Sequence, residues 1–260
     1  MLEITQGGSP LILGFPHSGT DVPPEIWERL NETGQTLADT DWHIHRLYDG
    51  LIEDVTRVRT TIHRYVIDVN RSLSDESLYP GQNTTHLIPT TDFDGRDIWR
   101  DGQLPDAGET ARRTLIYHQP YHAALSAEIE RVRARHGFAI LFDCHSIRSQ
   151  APFLFDGRLP DFNVGTNDGV TCAPSIEMTV YDTCEDAARY TSVRNGRFKG
   201  GWTTRHYGRP GYCVHAIQME LAQATYMDEA PPWAYRPTAA EAVRAPLKTI
   251  LEHLIRWRPE

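Results

Sequence analysis

Three polar residues stand at the ends of apolar runs that lie far apart in the chain. His17 ends the run 11–17, His145 ends the run 138–145, and Glu220 closes the run 214–221. Parallel strands that are buried on both faces appear as apolar runs, and their carboxyl ends open into the crevice where ligands bind. Burial of such a group without a partner costs about 1–3 kcal/mol. A shared divalent cation is the simplest partner, so the pattern predicts a metal-dependent hydrolase.

His17 and His145 are the predicted metal ligands, each through a ring nitrogen. A catalytic zinc ion typically takes three protein ligands and leaves one position for water, so one ligand remains to be found. A carboxylate is expected, and Asp21, Asp39 and Asp41 are the candidates. Capping of a helix N-terminus is a competing explanation for Asp39 and Asp41, because an acidic side chain there stabilises a helix by itself.

Glu220 is the predicted general base and later the general acid. It would take a proton from a water molecule that the metal activates and pass it to the leaving nitrogen. Cys144 or Ser146, assisted by a nearby histidine, would instead give nucleophilic catalysis, but neither lies in a nucleophile elbow. Adjacent strand residues point to opposite faces, so Cys144 and His145 are not expected to share one site. Cys144 is expected in the core.

Asn70 and Arg71 place an amide beside a guanidinium group, a combination that matches a substrate carboxylate. Arg64, Arg148 and Arg205 are further cations beside glycine-rich or strand-end turns. Because an exposed arginine is most often simply solvated, Arg71 is the strongest of these predictions.

Composition excludes several classes of function. The 260 residues include 35 acidic and 26 basic side chains, a net charge of -9, and the basic residues are scattered. This argues against a nucleic-acid or anionic-membrane surface and favours a small polar substrate. The four cysteines show no CxxC spacing, the N-terminus lacks signal-peptide features, and no apolar stretch approaches the ~18 residues needed to span a bilayer. We expect a soluble cytoplasmic protein, a monomer or small homo-oligomer.

A single domain over residues 1–260 is the expected organisation. The periodicity of apolar residues predicts strands at 11–16, 58–62, 65–69, 138–145, 175–180 and 214–220, and helices at 25–30, 39–52, 109–136, 185–195 and 239–256. The segment 70–105 shows no sustained period, and a loop of that length inside a compact domain is usually functional. A second loop is expected over 149–173, and Leu115 is expected on the inner face of the helix over 109–136. Alternating strands and helices predict an α/β fold, a three-layer sandwich with a mixed, mostly parallel sheet.

Several segments, taken together and in order, resemble the N-formylglutamate amidohydrolase family, also called the N-formylglutamate deformylases. They are residues 15–19 (FPHSG), 39–41 (DTD), 68–71 (DVNR), 143–146 (DCHS), 200–201 (GG) and 218–220 (QME), with further likeness at 89–95, 117–122 and 159–166. The resemblance covers nearly the whole chain, and many motifs in one order are far more specific than any one alone.

The resemblance implies a phosphorylase/hydrolase-like fold related to the zinc carboxypeptidases. It also implies hydrolysis of N-formyl-L-glutamate to L-glutamate and formate, the last step of one route of histidine degradation. Two alternatives stay open: a related metal amidohydrolase acting on another N-acyl amino acid, since pockets discriminate one methyl group by only ~1–3 kcal/mol, and a non-catalytic carboxylate-binding relative.

In the wider relatives, a His-x-x-Glu motif and a distant histidine hold the metal, which by resemblance assigns His17 and His145. Thr20 departs from this pattern, because it stands where the motif would place its glutamate. Asp41 is the predicted replacement because it belongs to a segment that the resemblance covers, and Asp21 stays open. Zinc is the expected ion, although the same ligands accept cobalt or manganese.

A substrate with two carboxylates needs a cationic partner for each of them. Arg71 with Asn70 is expected to bind one carboxylate, and Arg205 or Arg148 the other. Arg64 is expected to help the metal stabilise the oxyanion that forms during hydrolysis.

Overall fold

A computed structural model describes residues 1–259 of the chain. Its seven strands are β1 (Leu2–Thr5), β2 (Leu11–Phe15), β3 (Thr56–Thr60), β4 (Ala139–Ile147), β5 (Phe162–Gly165), β6 (Ser192–Arg194) and β7 (Val214–Ala222). They form one sheet in the order β1-β3-β2-β4-β7-β5-β6. The central strands β3, β2, β4 and β7 are mutually parallel, while β1 and β5 pair antiparallel with their neighbours β3 and β7. The predicted mixed, mostly parallel sheet is confirmed.

Helices account for most of the remaining regular structure. They are α1 (Pro24–Trp27), α2 (Glu32–Gln35), α3 (Ile44–Leu47), α4 (Ala107–Arg113), α5 (Gln119–His136), α6 (Pro174–Asp186), α7 (Trp202–Tyr207) and α8 (Pro237–Arg256). A π-helical turn, Thr114–His118, joins α4 to α5, so the predicted long helix over 109–136 is confirmed as one continuous helical segment. Within residues 1–259, no helix combines the length and the apolarity needed to cross a membrane.

Both faces of the sheet are covered. On one face Leu13 packs in a core cluster with Ile176 of α6 and Leu247 of α8. On the other face Ile12 packs with Leu125 of α5. Successive strand residues point to opposite faces, so a strand buried on both sides must be apolar at nearly every position. This is the predicted three-layer α/β arrangement.

The predicted strand over 175–180 is wrong, because this segment belongs to α6. Ile176, Val180 and Cys184 are buried and recur every four residues, which is the spacing of one helix face. The predicted helix over 185–195 is also wrong, since β6 occupies its end. The first error has a simple cause, because a short apolar run fits a strand or a helix and only its period distinguishes the two.

Four other predictions need correction. The helix expected over 39–52 contains only the single turn of α3, because His43 has a left-handed backbone (φ 60°) that ends helical continuity. The expected strand over 65–69 is a series of turns, whereas the segment 149–173, predicted as a loop, contributes β5. Leu115, predicted on the inner helix face, is 63% exposed. The π turn adds a residue there and rotates the pattern by roughly 100°.

Candidate active site

The register between β4 and β7 brings the first two functional residues together. His145 aligns with Glu220, and Asp143 aligns with Gln218. Aligned residues of parallel neighbours project from the same face, and residues two apart on a strand also share that face. Cys144 points the other way and packs in the core, where burial raises the pKa of its thiol well above the ordinary range. The prediction that Cys144 is a core residue is confirmed.

The two predicted histidine ligands lie side by side. His17 follows β2 by two residues, and its ring centroid is 5.0 Å from that of His145. Each ring turns its Nε2 atom toward a buried carboxylate: His17 Nε2 lies 2.6 Å from Asp68 Oδ1, and His145 Nε2 lies 3.2 Å from Asp143 Oδ1. Carboxylates in this position orient metal-binding histidines and fix their tautomer. Both Nδ1 atoms are left to face a common point.

Asp41 supplies the carboxylate at that point. Its Oδ1 lies 4.0 Å from His17 Nδ1, and its Oδ2 lies 3.3 Å from His145 Nδ1. Ligand atoms that share one zinc ion are each about 2.0–2.2 Å from it and therefore no more than about 4.4 Å apart. His17, Asp41 and His145 are thus a group of side chains that could hold a metal ion.

The other acidic candidates lie elsewhere. Asp21 is exposed and accepts a hydrogen bond from the Thr61 hydroxyl at 2.6 Å. Asp39 is buried but accepts from the Tyr65 hydroxyl and from a backbone N–H, away from the two imidazoles. Thr20 is exposed. Of the three acidic candidates, only Asp41 stands beside both histidines.

The residues present fit a divalent cation. His17 Nδ1 is buried and has no hydrogen-bond partner, although a buried ring nitrogen normally has one. Burial and the nearby Arg64 lower the pKa of His17, which keeps its imidazole neutral and able to coordinate. Burial opposes protonation of His145, but the carboxylates of Asp143 and Asp41 outweigh it and raise the pKa of that ring. A cation binding there must therefore displace a proton.

Asp41 is itself held in place from two directions. Arg64 donates from Nη2 to Asp41 Oδ1 at 2.8 Å, and the backbone N–H of Ser146 donates to Oδ2 at 3.0 Å. Burial alone would raise the pKa of Asp41, but Arg64 and the two histidines hold it below the ordinary value. The carboxylate is consequently ionised, which is the form that binds a metal.

Glu220 lies beside this group and is almost completely buried. Gln218 donates from Nε2 to Glu220 Oε2 at 3.0 Å, and Gln218 in turn accepts from the backbone N–H of Gly201 at 2.6 Å. Burial raises the pKa of Glu220 to about 8. A carboxyl group with a pKa close to neutral can both accept and donate a proton at working pH, which suits a general base that later acts as an acid.

All these groups open into one cavity. Its floor is formed by the strand ends, and its walls come from two segments without regular structure. The lining includes His17, Asp41, Arg64, Asn70, Arg71, Leu78, Tyr79, Thr85, His145, Arg197, Phe198, Gln218 and Glu220. Part of the long segment 70–105 therefore covers the strand ends, as expected for a functional loop.

The Asn70–Arg71 pair lies at the cavity wall. Asn70 Oδ1 accepts from the backbone N–H of Thr203 at 2.8 Å, and Arg71 Nη2 donates to the Thr85 hydroxyl at 3.0 Å. Gly201 must be glycine here, because a Cβ atom would stand 2.4 Å from Asn70 Nδ2. The predicted pair is brought to the same cavity as the metal-ligand group.

The structure does not bring Arg148 and Arg205 to the cavity lining. Arg148 pairs with Asp94 at 2.9 Å. Arg205 donates to the Gly200 carbonyl at 2.8 Å and stacks on the Tyr79 ring, 5.1 Å from its centroid. Arg197 lines the cavity instead, and sequence reasoning missed it because no motif or periodic pattern surrounds it.

Three supporting residues were also missed, although the sequence contained a signal for each. Asp143 and Gln218 stand two positions before His145 and Glu220, so strand alternation puts each pair on one face. Asp68 opens the DVNR segment that had been singled out for Asn70 and Arg71 only.

The fold and the site together define an α/β protein with a buried histidine–carboxylate group and an arginine-lined cavity at the carboxyl ends of its parallel strands. The model of the N-formylglutamate amidohydrolase family matches residues 9–227, and the chain belongs to this family.

Relatives of known description agree with this assignment. The chain is 47% identical over 262 residues to the N-formylglutamate deformylase of Pseudomonas aeruginosa, covering 100% of this chain and 98% of the relative. It is 42% identical to the N-formylglutamate deformylase of Pseudomonas putida, covering 100% and 97%. The crystal structure of N-formylglutamate amidohydrolase from Ralstonia eutropha JMP134 superposes with a TM-score of 0.81 at 27% identity, covering 98% of both chains.

Proposed function

We propose that this protein hydrolyses N-formyl-L-glutamate to L-glutamate and formate in a reaction that depends on a divalent metal ion. The observation that carries the proposal is the meeting of His17, Asp41 and His145 beside Glu220, in a cavity that also contains arginines. Membership in the N-formylglutamate amidohydrolase family and two relatives described as N-formylglutamate deformylases support the choice of substrate.

The cavity cations suit a substrate with two carboxylates. Arg64 is paired with Asp41, whereas no acidic side chain among residues 1–259 forms an ion pair with Arg71 or Arg197. Arg71 donates to the Thr85 hydroxyl, and Arg197 donates to the carbonyls of Leu154 and Asn83, so both guanidinium groups have only neutral partners. A substrate carboxylate would supply the missing negative charge, and its geometry matches a guanidinium group. Arg71 with Asn70 binds one substrate carboxylate, and Arg197 takes the role that the sequence had assigned to Arg205 or Arg148.

His17, Asp41 and His145 are the residues that would hold the cation, with zinc the simplest choice for two imidazoles and one carboxylate. When bound, the ion supplies Lewis acidity for the formyl carbonyl and for the attacking water. Asp68 and Asp143 orient the two imidazoles through their Nε2 atoms.

Glu220 moves the proton. It accepts a proton from water as the oxygen attacks the formyl carbon, and it then donates that proton to the nitrogen while the C–N bond breaks. Gln218 holds the carboxyl group for both steps. Arg64 has a buried Nε–H with no hydrogen-bond partner, a donor suited to the oxyanion that develops on the formyl group. The products are formate and L-glutamate, as in the last step of one histidine-degradation route.

The test compares product release from matched substrates. Purified protein supplied with zinc should release formate from N-formyl-L-glutamate, and a strong chelator should abolish the activity. N-acetyl-L-glutamate tests the acyl group, and N-formyl-L-norvaline tests the side-chain carboxylate while keeping similar length. Faster release of acetate than of formate would assign the protein to another N-acyl substrate. A protein that binds no stoichiometric zinc would contradict the enzyme proposal.

A further inference from the structure

Two histidines outside the cavity contact the backbone of the turn that carries Asn70 and Arg71. His118 Nε2 lies 2.9 Å from the Arg71 carbonyl oxygen, and His122 Nε2 lies 2.7 Å from the Val69 carbonyl oxygen. Because a carbonyl oxygen only accepts, both rings must carry their proton on Nε2 and donate it. The turn at residues 69–71 is thus hydrogen-bonded at two of its three carbonyls.

The helix geometry explains why both rings reach the same turn. His118 ends the π-helical turn, and His122 lies in the first turn of α5. Residues four apart share one helix face, and the two ring centroids are 4.5 Å apart. π turns are rare and frequently occur at functional sites. This one stands where the helical segment meets the substrate-binding turn.

The same turn is held from its other side by α7. The backbone N–H of Thr203 donates to Asn70 Oδ1, and Trp202 packs edge-on against His122 with centroids 4.7 Å apart. Asp68 Oδ1 accepts from both the Asn70 N–H and His17 Nε2. One short turn therefore connects the substrate-binding pair to a metal-ligand histidine.

His118 and His122 both keep a protonated Nε2 and a neutral ring at working pH. His122 accepts at Nδ1 from the Tyr207 hydroxyl, 3.0 Å away, which leaves Nε2 as the protonated nitrogen. Burial lowers the pKa of His122 to about 3 and also lowers that of His118. Each imidazole is consequently neutral, and its single N–H is committed to the turn.

We propose that His118 and His122 are positioning residues that hold the turn at 69–71 in the conformation in which Arg71 and Asn70 bind a substrate carboxylate. Neither ring lines the cavity, so both act through the backbone of the turn. The inference rests on the proposed function, because it assumes that the bound carboxylate belongs to glutamate.

The test is calorimetric titration of L-glutamate into the zinc-loaded protein. His118→Phe keeps a ring of similar size and removes the donor, and the Kd should rise about ten-fold, as expected for one buried carbonyl left without its hydrogen bond. His118→Gln offers an N–H close to the original Nε2 position and should restore the Kd to within about three-fold. KM for N-formyl-L-glutamate should follow Kd, while kcat changes less than about three-fold.

A matched control is His206→Phe. The His206 ring stacks on Trp202 in the same aromatic group, with centroids 4.2 Å apart, but makes no hydrogen bond to the turn among the described residues. Its replacement should leave Kd unchanged. An equal effect of His206→Phe, or a Gln variant no better than Phe, would overturn the proposal in favour of a purely structural role. If His118→Phe does not fold, His122→Phe and His122→Gln provide the same comparison.

A double-mutant cycle decides whether His118 acts through Arg71. In the Arg71→Ala background, His118→Phe should change Kd by less than about two-fold, because the positioned group is already absent. Full additivity of the two effects would contradict the proposal. Failure of the wild type to release formate would contradict only the proposed function, since the L-glutamate titration still decides the role of His118.

Discussion

The two sides of the cavity are built from different kinds of structure. The floor carries His145 and Glu220 on β4 and β7, two adjacent strands in which every residue is buried. The opposite wall carries Tyr79 and Arg197, which are partly exposed and lie on segments without regular structure. Buried strands fix atoms closely, as a reaction requires, whereas loop side chains can adjust to a ligand. We therefore expect residues of the floor to carry out the catalytic steps, and residues of the wall to determine which substrate binds.

The largest expected effect is a loss of kcat on substitution of Glu220 in the cavity floor. Glu220→Gln should lower kcat by about 10²–10⁴-fold, because an amide cannot accept the proton from water. Zinc content, measured by elemental analysis, should stay at one ion per chain, since Glu220 is not among the three proposed ligands. Glu128→Gln is the control, because Glu128 is an equally buried glutamate that pairs with Arg131 away from the cavity. Near-normal turnover of Glu220→Gln would remove this residue from the mechanism.

Asp68 tests the link between the two sides. Asp68→Asn should weaken zinc affinity by about 10–100-fold, because His17 loses the carboxylate that orients its ring. Competition with a chelator measures this affinity, and kcat at saturating zinc should fall much less than in Glu220→Gln. Asp94→Asn, which removes the partner of Arg148, provides the control. Unchanged zinc affinity in Asp68→Asn would show that His17 is not held as a ligand.

Substitutions in the cavity wall should change KM more than kcat. Arg197→Ala should raise KM by about 10-fold or more, since hydrogen bonds to a charged group contribute about 1.5–3 kcal/mol each. Arg148→Ala and Arg205→Ala should raise it by less than about three-fold, because neither side chain lines the cavity. The three variants are compared by steady-state kinetics with N-formyl-L-glutamate. A larger effect of Arg205→Ala than of Arg197→Ala would restore the assignment made from the sequence.

The smallest effect concerns stability and pH. Burial lowers the pKa of His122 to about 3, whereas the unfolded chain has an ordinary histidine pKa of about 6.5. Between these values the unfolded state binds the extra proton, so stability is lost as the pH falls below about 6.5. The free energy of unfolding lost between pH 7.5 and 5.5 should be about 1.4 kcal/mol smaller in His122→Gln than in the wild type, as measured by urea denaturation. An equal loss in both proteins would show that His122 is protonated in the folded state.

Much of the floor was predictable from residue types. Strands β2, β4 and β7 are buried at every position because helices cover both their faces, and a functional residue lies two residues from the end of each. The wall was not predictable in the same way. Arg197 has no periodic neighbours, and only the path of the loops decides that it reaches the cavity while Arg205 stacks on Tyr79.

The sequence by itself determined the parallel strands β2, β4 and β7, the long helical segment predicted over 109–136, and the family. Burial fixes the residue types of strands and helices, and the members of a family share motifs in one order. The tertiary structure alone decided that Asp41 and not Asp21 meets the two histidines, and that His118 and His122 contact the turn at 69–71. These are contacts between segments far apart in the chain. They depend on the positions of these segments in the folded structure, which the local pattern of residue types does not determine.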